Sequence, residues 1–200
     1  MIRILVVEDQ ALVRGAISSL LSLEPGFEVV GEVKNGEKAI EFIQQKAVDF
    51  VLSDIEMPCM SGLELAEHII GQGLDIQIVI MTTFSKAGYI RRAINLGVKA
   101  FILKESPTDY LVDAIKKVQA GQRVIAPELA LMALDDRDPL TEKERKAIKL
   151  AGDGLKTADI AKKLFLSEGT VRNYLSEAIS KLNAVNRIDA ARIAKQKGWI

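Results

Sequence analysis

The sequence predicts two domains, an α/β domain with a doubly wound, five-stranded parallel sheet and a smaller all-α helix-turn-helix domain. Over residues 1–120, short apolar runs alternate five times with segments long enough for helices, which is typical of a parallel sheet covered by helices on both faces. Residues 139–200 show helical patterns alone. The charge also changes sign, with 14 basic and 20 acidic residues in 1–138 against 13 basic and 7 acidic residues in 139–200.

The composition is that of a folded protein in a reducing compartment. The chain has 200 residues, 48% of them hydrophobic and 27% charged, which excludes a disordered or collagen-like protein. The single cysteine, Cys59, cannot form a disulfide within the chain, and one cysteine with one histidine does not supply a structural zinc site. The apolar run at the start is too short for a signal peptide or a membrane span. We therefore expect a cytoplasmic protein with no membrane partner.

Each element of the first domain follows from its residue pattern. Strands rich in Val and Ile are predicted at residues 3–7, 27–33, 49–53, 77–82 and 100–103. Helices are predicted at residues 11–23, 36–46, 62–71, 87–95 and 109–120. Gly97 and Gly121 follow the last two helices, where a left-handed residue commonly ends a helix. Residues 121–138 break the alternation and predict a linker with a short helix near 128–133.

The second domain, residues 139–200, has four predicted helices, at 141–151, 157–164, 167–182 and 188–197. The middle pair, separated by a break at 165–167, has the spacing of a helix-turn-helix. Thr141 is predicted to cap the first of the four helices, with Glu144 completing a capping box, and Ser167 to cap the third. A generic helical hairpin has the same spacing, so it is the positive charge of the domain that favours a polyanionic partner.

Polar side chains are predicted to converge at one edge of the sheet, because the carboxyl ends of parallel strands meet there. They are Glu8 and Asp9 after the first strand, Asp54 after the third, Thr82 at the end of the fourth and Lys104 at the end of the fifth. Three close carboxylates repel one another unless a cation joins them, and oxygen ligands favour Mg²⁺. Asp54 would then be a carboxylate nucleophile for a phosphoryl group, whose oxygens Lys104 and Thr82 would contact. Taken singly, each residue could be an ordinary turn, strand or surface residue.

Four motifs in the first domain resemble those of a known family. They are Val6-Val7-Glu8-Asp9, Asp54-Ile55-Glu56-Met57-Pro58, Met81-Thr82-Thr83 and Phe101-Ile102-Leu103-Lys104. Residues 1–120 thus resemble the receiver domain of two-component response regulators, which has a flavodoxin-like fold. The resemblance implies that Asp54 accepts phosphate from a sensor histidine kinase and that Phe101 is a switch aromatic. It also implies a Mg²⁺ site made by Glu8, Asp9, Asp54 and the backbone carbonyl of Glu56. Many members have glycine where this chain has Cys59.

Three motifs in the second domain resemble those of a DNA-binding family. They are Pro139-Leu140-Thr141-Glu142-Lys143-Glu144, Thr157-Ala158-Asp159-Ile160-Ala161 and Ser167-Glu168-Gly169-Thr170-Val171-Arg172-Asn173-Tyr174. Residues 139–200 are similar to the LuxR-type DNA-binding domain, and the pairing with a receiver is that of the NarL/FixJ family, most like regulators of the DesR type. The resemblance implies that the helix from Ser167 enters the major groove of promoter DNA. By position, the base contacts would come from Arg172, Asn173 and Ser176, and the phosphate contacts from Thr170, Lys181 and Lys156.

The first and fifth helices of the first domain are more apolar than packing on a sheet requires. In the first helix the apolar residues spread over an arc of about 180°, whereas facing a core takes roughly 100°. We therefore expect phosphorylation to promote a homodimer that brings two recognition helices to paired half-sites. The expected interface residues are Leu12, Val13, Tyr110 and Val112. The alternative is that the extra apolar residues are ordinary exposed ones, which are common on protein surfaces.

The predicted function is thus a DNA-binding response regulator that regulates transcription and is not an enzyme. Two alternatives stay open at this point. One is a phosphorylation-independent DNA-binding transcription factor with a degenerate receiver, and the intact set of polar residues at the sheet edge argues against it. The other is a phosphohydrolase with an Asp nucleophile, which would have no use for a basic DNA-binding module.

Overall fold

The protein forms two compact units, one built mainly from residues 1–131 and the other mainly from residues 132–200. The structure, a computed structural model, describes residues 1–83, 87–135 and 138–200. Each unit has an apolar core of its own. Among the described residues, no helix is long and apolar enough to cross a membrane.

Strands and helices alternate along the first unit. The strands are β1 (Ile2–Val7), β2 (Phe27–Val33), β3 (Phe50–Asp54), β4 (Gln77–Thr82), β5 (Ala100–Leu103) and β6 (Val124–Ile125). The helices are α1 (Ala11–Ser22), α2 (Gly36–Ile43), α3 (Gly62–Gly71), α4 (Ala87–Leu96), α5 (Thr108–Gln119) and α6 (Pro127–Asp135). All strand pairs are parallel, in the order β2-β1-β3-β4-β5-β6. The predicted fold class is confirmed, and the five predicted strands match within one residue at each end.

The predicted number of strands is wrong, because the described residues form a sheet of six strands. β6 pairs with β5, with Ile125 opposite Phe101, and two residues are too few for a sequence period to show. β6 lies in the segment predicted as a linker, and Ala126 and Leu129 just after it are buried. The helix predicted near 128–133 is α6, which begins at Pro127. Proline suits a first helical turn because it has no N–H to leave unpaired.

The central strands are buried because helices cover both faces of the sheet. Every residue of β3 is buried, as are the last five of β4, and these strands therefore appear in the sequence as continuous apolar runs. β2 lies at the edge, and its Glu28 and Glu32 are exposed. Because all the strands are parallel, β1, β3, β4 and β5 bring their carboxyl ends to one edge of the sheet, the carboxyl edge.

In the described part of the second unit, four helices follow α6, as predicted. They are α7 (Glu142–Gly152), α8 (Thr157–Leu164), α9 (Glu168–Lys181) and α10 (Arg187–Gln196). Both predicted caps are present: Thr141 and Glu144 form a capping box at α7, and the Ser167 hydroxyl accepts from the N–H of Thr170 at α9. α8 ends at Phe165, whose φ of 56° is left-handed and turns the chain toward α9.

Candidate functional site

Three carboxylates lie together at the carboxyl edge of the first unit. Glu8 and Asp9 follow β1, and Asp54 is the last residue of β3. One oxygen from each carboxylate lies within 4.8 Å of the other two. Glu8 and Asp54 are buried, whereas Asp9 is exposed. The structure thus brings together the three acids that the strand pattern predicted to meet, with one of them open to solvent.

Lys104 brings a positive charge to this cluster. Its ammonium lies 2.6 Å from Oε2 of Glu8 and 3.0 Å from Oδ2 of Asp54. The backbone N–H of Lys104 donates to the carbonyl of Thr82 at 2.9 Å, so the pairing of β4 with β5 positions the root of the side chain. The second oxygen of Asp54 accepts a hydrogen bond from the N–H of Ile55 at 2.7 Å. Lys104 therefore bridges two buried carboxylates instead of contacting Asp54 alone.

Burial disfavours the ionised forms of the side chains in this site and shifts their pKa values. It raises the pKa of Glu8 more than the hydrogen bond from Lys104 lowers it, and the charge of Asp54 raises it further. The pKa of Asp54 is also raised, mainly by burial and against the effect of Lys104. Burial alone lowers the pKa of Lys104, but its two carboxylate partners outweigh burial and raise it. Lys104 therefore remains protonated, and one ammonium faces three acids.

The cluster fits a hard divalent cation. Its ligand atoms are carboxylate oxygens, the type that Mg²⁺ prefers, and the exposure of Asp9 leaves access for the water ligands that Mg²⁺ usually retains. Across the part of the chain that the structure describes, no other group of three or more acidic, His or Cys side chains converges in this way. Glu56, whose backbone carbonyl was the fourth predicted ligand, lies in the loop just after Asp54.

Thr82 and Phe101 lie on the strands beside Asp54. Thr82 ends β4 and is 3% exposed, opposite Leu103 of β5. Phe101 is 1% exposed within β5. The predicted switch aromatic is therefore in an inward position in this structure, on the same strand that leads into Lys104.

The loop after Asp54 makes close backbone contacts. The N–H of Gly62 donates to the carbonyl of Ile55 at 3.0 Å, and a β-carbon on Gly62 would overlap the carbonyl oxygen of Asp54. Cys59 is exposed and has a φ of 70°, in the left-handed region that glycine adopts without strain. Glycine would therefore suit this position, and a side chain here costs about 1–2 kcal/mol.

In the second unit, α9 has one apolar and one polar face. Its buried residues are Val171, Leu175 and Ala178. Its exposed residues include Arg172, Asn173 and Ser176. The three predicted base-contacting residues are therefore available to a ligand, whereas their neighbours along the helix form the core.

The predicted DNA contacts differ in their surroundings. The guanidinium of Arg172 lies 3.1 Å from Oε2 of Glu168, one turn earlier on the same exposed face. The hydroxyl of half-buried Thr170 lies 2.8 Å from that of Ser167. Lys156 is exposed and directly precedes α8.

Lys181, at the end of α9, has a partner inside the unit. Its ammonium lies 2.8 Å from each carboxylate oxygen of Glu144. Glu144 is 5% exposed and also accepts from the N–H of Thr141 at 2.8 Å. Burial alone would raise the pKa of Glu144, but hydrogen bonds from Lys181 and Thr141 hold that pKa below its usual value. A phosphate contact by Lys181, as predicted from the sequence, would have to compete with this ion pair.

An apolar stripe along α1 and its C-cap residue, Leu23, is exposed. Leu12 and Leu23 are 86% and 81% exposed, and Leu20 between them is 42% exposed. The other predicted interface residues are partly buried and pack against the core, namely Val13, Tyr110 and Val112. The surplus of apolar residues on α1 is therefore on the surface, where its largest exposed side chains are leucines.

Two protein-family models match the chain, one in each unit. The response regulator receiver domain matches residues 4–116, and the luxR family of bacterial regulatory proteins matches residues 138–194. The chain is a response regulator. Its second domain is of the LuxR DNA-binding type, so the family membership predicted from the motifs is confirmed.

Curated relatives match the response regulator over its whole length. It is 46% identical over 200 residues to the uncharacterized transcriptional regulatory protein YvfU of Bacillus subtilis (strain 168), covering 100% of each chain. It is 44% identical over 199 residues to the transcriptional regulatory protein DesR of the same organism, covering 100% of this chain and 99% of DesR. This agrees with the predicted DesR type within the NarL family and indicates a transcriptional regulator rather than an enzyme.

Solved structures of response regulators also match both domains. ChrA, from a haem-sensing two-component system, is 30% identical with a TM-score of 0.57, and the match covers 100% of this chain and 98% of ChrA. The RcsB–DNA complex is 21% identical with a TM-score of 0.66, and the match covers 98% of each chain. At that identity, the likeness to RcsB supports the fold alone.

Gly62→Ala should destabilise the first unit by about 1–3 kcal/mol, because the added methyl group must displace the carbonyl of Asp54. Gly71→Ala is the matched control, since it lies in the same helix and a β-carbon there meets nothing within 4 Å. That control should be neutral or slightly stabilising, because alanine favours helix. Thermal unfolding followed by circular dichroism compares the two, and equal melting temperatures would contradict the close contact at Gly62.

Proposed function

We propose that this response regulator accepts a phosphoryl group on Asp54 from a sensor histidine kinase, dimerises, and regulates transcription at promoter DNA in the cytoplasm. The observation that carries the proposal is the meeting of acids, hydroxyl and ammonium at the carboxyl edge. Glu8, Asp9 and Asp54 come from two strands, and Thr82 and Lys104 from two others. Lys104 contacts Glu8 and Asp54 directly, Asp9 lies beside these two acids, and Thr82 ends β4 at the same edge.

Asp54 is the nucleophile of the proposed reaction. A carboxylate oxygen attacks the phosphorus of the kinase phosphohistidine, and an O–P bond forms as the P–N bond breaks. The imidazole leaves with the electron pair and takes up a proton, and an acyl phosphate remains on Asp54. Lys104 is 3.0 Å from Asp54 and offsets charge on the phosphoryl oxygens, to which the hydroxyl of Thr82 donates.

Glu8, Asp9, Asp54 and the carbonyl of Glu56 would hold Mg²⁺ beside the nucleophile. When bound, Mg²⁺ neutralises negative charge on the transferring phosphoryl group. Glu8 is shared between this role and Lys104, and it therefore keeps the lysine close to Asp54 while contributing charge to the cation site. Asp9, the exposed member, is the ligand most open to solvent.

Asp54→Asn should abolish phosphorylation, because it keeps the shape of the side chain but removes the nucleophilic oxygen. With acetyl phosphate and Mg²⁺, intact-mass spectrometry should show one phosphoryl group on the wild-type chain and none on the variant. Asp75→Asn is the control, since Asp75 is an exposed acid in the loop before β4, and it should be labelled like wild type.

Stoichiometric labelling of Asp54→Asn would show that another residue is the acceptor. Absence of labelling on the wild type would instead favour a phosphorylation-independent transcription factor. Continuous release of inorganic phosphate at a rate typical of a phosphatase would favour the hydrolase alternative.

α9 is the proposed recognition helix for the major groove. Arg172, Asn173 and Ser176 lie on its exposed face, and arginine and asparagine can each pair bidentately with a purine. Thr170 near the helix start and Lys156 before α8 are proposed to contact phosphates, which position the domain without reading sequence. Lys181 was also predicted to contact phosphate, but its ammonium is already paired with Glu144.

Arg172→Ala should weaken binding to a duplex selected by the wild-type chain from a random-sequence library by about 1–3 kcal/mol. The loss should vanish on a duplex changed at the one base pair that Arg172 contacts. Arg192→Ala is the matched control, because Arg192 is an exposed arginine of α10 with a similar intrahelical ion pair. Fluorescence anisotropy measures each dissociation constant. An equal loss on all duplexes would mean that Arg172 contacts phosphate only.

The exposed stripe of α1 is the proposed contact between two phosphorylated copies. Leu12, Leu20 and Leu23 place apolar surface on α1, and the Glu24–Lys116 ion pair of 2.6 Å joins the end of α1 to α5. Charges of both signs beside an apolar stripe suit a two-fold interface, in which the same patch meets itself. Phosphorylation must favour the dimer-competent receiver by a few kcal/mol, because a ligand without preference shifts no equilibrium.

Leu12→Asp should keep the phosphorylated chain monomeric at concentrations at which the phosphorylated wild type sediments as a dimer. Leu12 is a better site for this test than Val112, because it is 86% exposed and its replacement leaves the core intact. Leu74→Asp, at another exposed leucine, is the control and should still dimerise. Analytical ultracentrifugation of both variants decides the point, and a dimer of phosphorylated Leu12→Asp would rule this interface out.

A further inference from the structure

The ion pair between Lys181 and Glu144 joins the last residue of α9 to the first turn of α7. Both oxygens of Glu144 lie 2.8 Å from the Lys181 ammonium, and one of them also accepts from the N–H of Thr141 at 2.8 Å. The residue that caps α7 and the last residue of α9 therefore both contact the carboxylate of Glu144. The contact with Thr141 lies within the capping box of α7. The contact with Lys181, 37 residues further along the chain, is the one that constrains how α9 lies against α7.

Burial makes this pair different from the surface ion pairs of the same domain. The Glu144 side chain is 6% exposed and that of Lys181 32% exposed, whereas Glu142 and Lys146 nearby on α7 are 72% and 58% exposed. A buried carboxylate that loses its cation is strongly unfavourable. Lys181 therefore cannot leave Glu144 for a phosphate without leaving that carboxylate uncompensated.

We propose that Lys181 and Glu144 are positioning residues for DNA recognition, and that Lys181 sets the tilt of α9 instead of binding phosphate. This inference rests on the proposed role of α9 as the recognition helix. Arg172 lies nine positions before Lys181, about 14 Å along the helix axis. If α9 tilts by about 4° about its Lys181 end, Arg172 therefore moves by about 1 Å. Hydrogen bonds to base edges weaken steeply with errors of that size.

The test measures salt dependence and discrimination with the full chain. The probes are a duplex selected by the wild-type chain from a random-sequence library and a scrambled duplex of the same composition. Lys181→Met should weaken binding to the selected duplex on the order of tenfold, the loss expected from one impaired base contact. Binding to the scrambled duplex and the slope of log K against log salt should stay as in wild type. A true phosphate contact would instead reduce the magnitude of that slope by about 0.9.

Glu144→Gln separates the two roles by the sign of its effect. If Lys181 positions α9, this variant weakens binding to the selected duplex just as Lys181→Met does. If Glu144 merely withholds Lys181 from phosphate, the variant tightens binding to both duplexes and steepens the salt slope. Glu142→Gln removes the same charge from an exposed site on α7 and corrects for long-range electrostatics. Glu144→Gln also keeps the shape of the side chain, so it remains informative if Lys181→Met fails to fold.

Lys181→Arg should restore discrimination, because arginine can still pair with Glu144. In a Glu144→Gln background the same substitution should restore nothing. Three results would each overturn the inference. One is restored discrimination by Lys181→Arg in the Glu144→Gln background, and another is a smaller salt slope for Lys181→Met. The third is tighter binding by Glu144→Gln than by Glu142→Gln. If the wild-type chain selects no duplex, it is the proposed DNA recognition that fails, and this result is separate from any of those three.

Discussion

Repulsion between carboxylates at one edge of the sheet is the constraint around which the first domain is organised. Two unit charges 4 Å apart interact by about 4 kcal/mol at an effective dielectric constant of 20, and Glu8 and Asp54 are both buried next to Asp9. Only Lys104 among the described side chains pairs with two of them. Since Lys104 arrives from β5 and the acids from β1 and β3, the register of the whole sheet is needed to balance the site.

The second domain also contains a buried carboxylate whose charge is compensated by a lysine. Glu144 is a buried acid balanced by one lysine that comes from a distant helix. In the first domain one ammonium faces three acids, and under the proposed function a cation would offset the remaining negative charge. In the second, the single lysine completes the balance, and the result is a joint between helices. In both domains a buried carboxylate needs a compensating positive charge. Incomplete compensation suits the proposed reactive site, whereas complete compensation stabilises the packing of α9 on α7.

Much of the fold and of the site could be predicted from the sequence. Buried parallel strands appear as continuous apolar runs, and the residues that directly follow these strands lie at one edge of the sheet. Asp54, Thr82 and Lys104 could be assigned to that edge on this ground alone. β6 could not, since two residues show no period. The contact of Lys104 with Glu8, and that of Lys181 with Glu144, join positions far apart in the chain and depend on side-chain direction. The sequence identified Glu144 only as the acid of a capping box, and its burial and its pairing with Lys181 came from the structure.

β6 changes what counts as a complete first domain. It covers one side of β5, the strand that carries Phe101 and leads into Lys104, through the pairing of Phe101 with Ile125. A fragment cut at the end of α5 would expose unpaired backbone groups along β5 and the apolar surface that Leu129 covers. Bare strand edges recruit other chains, so such a fragment would tend to aggregate through β5, the strand that leads into Lys104. A fragment that contains the complete first domain should therefore include β6 and the buried Leu129 that follows it.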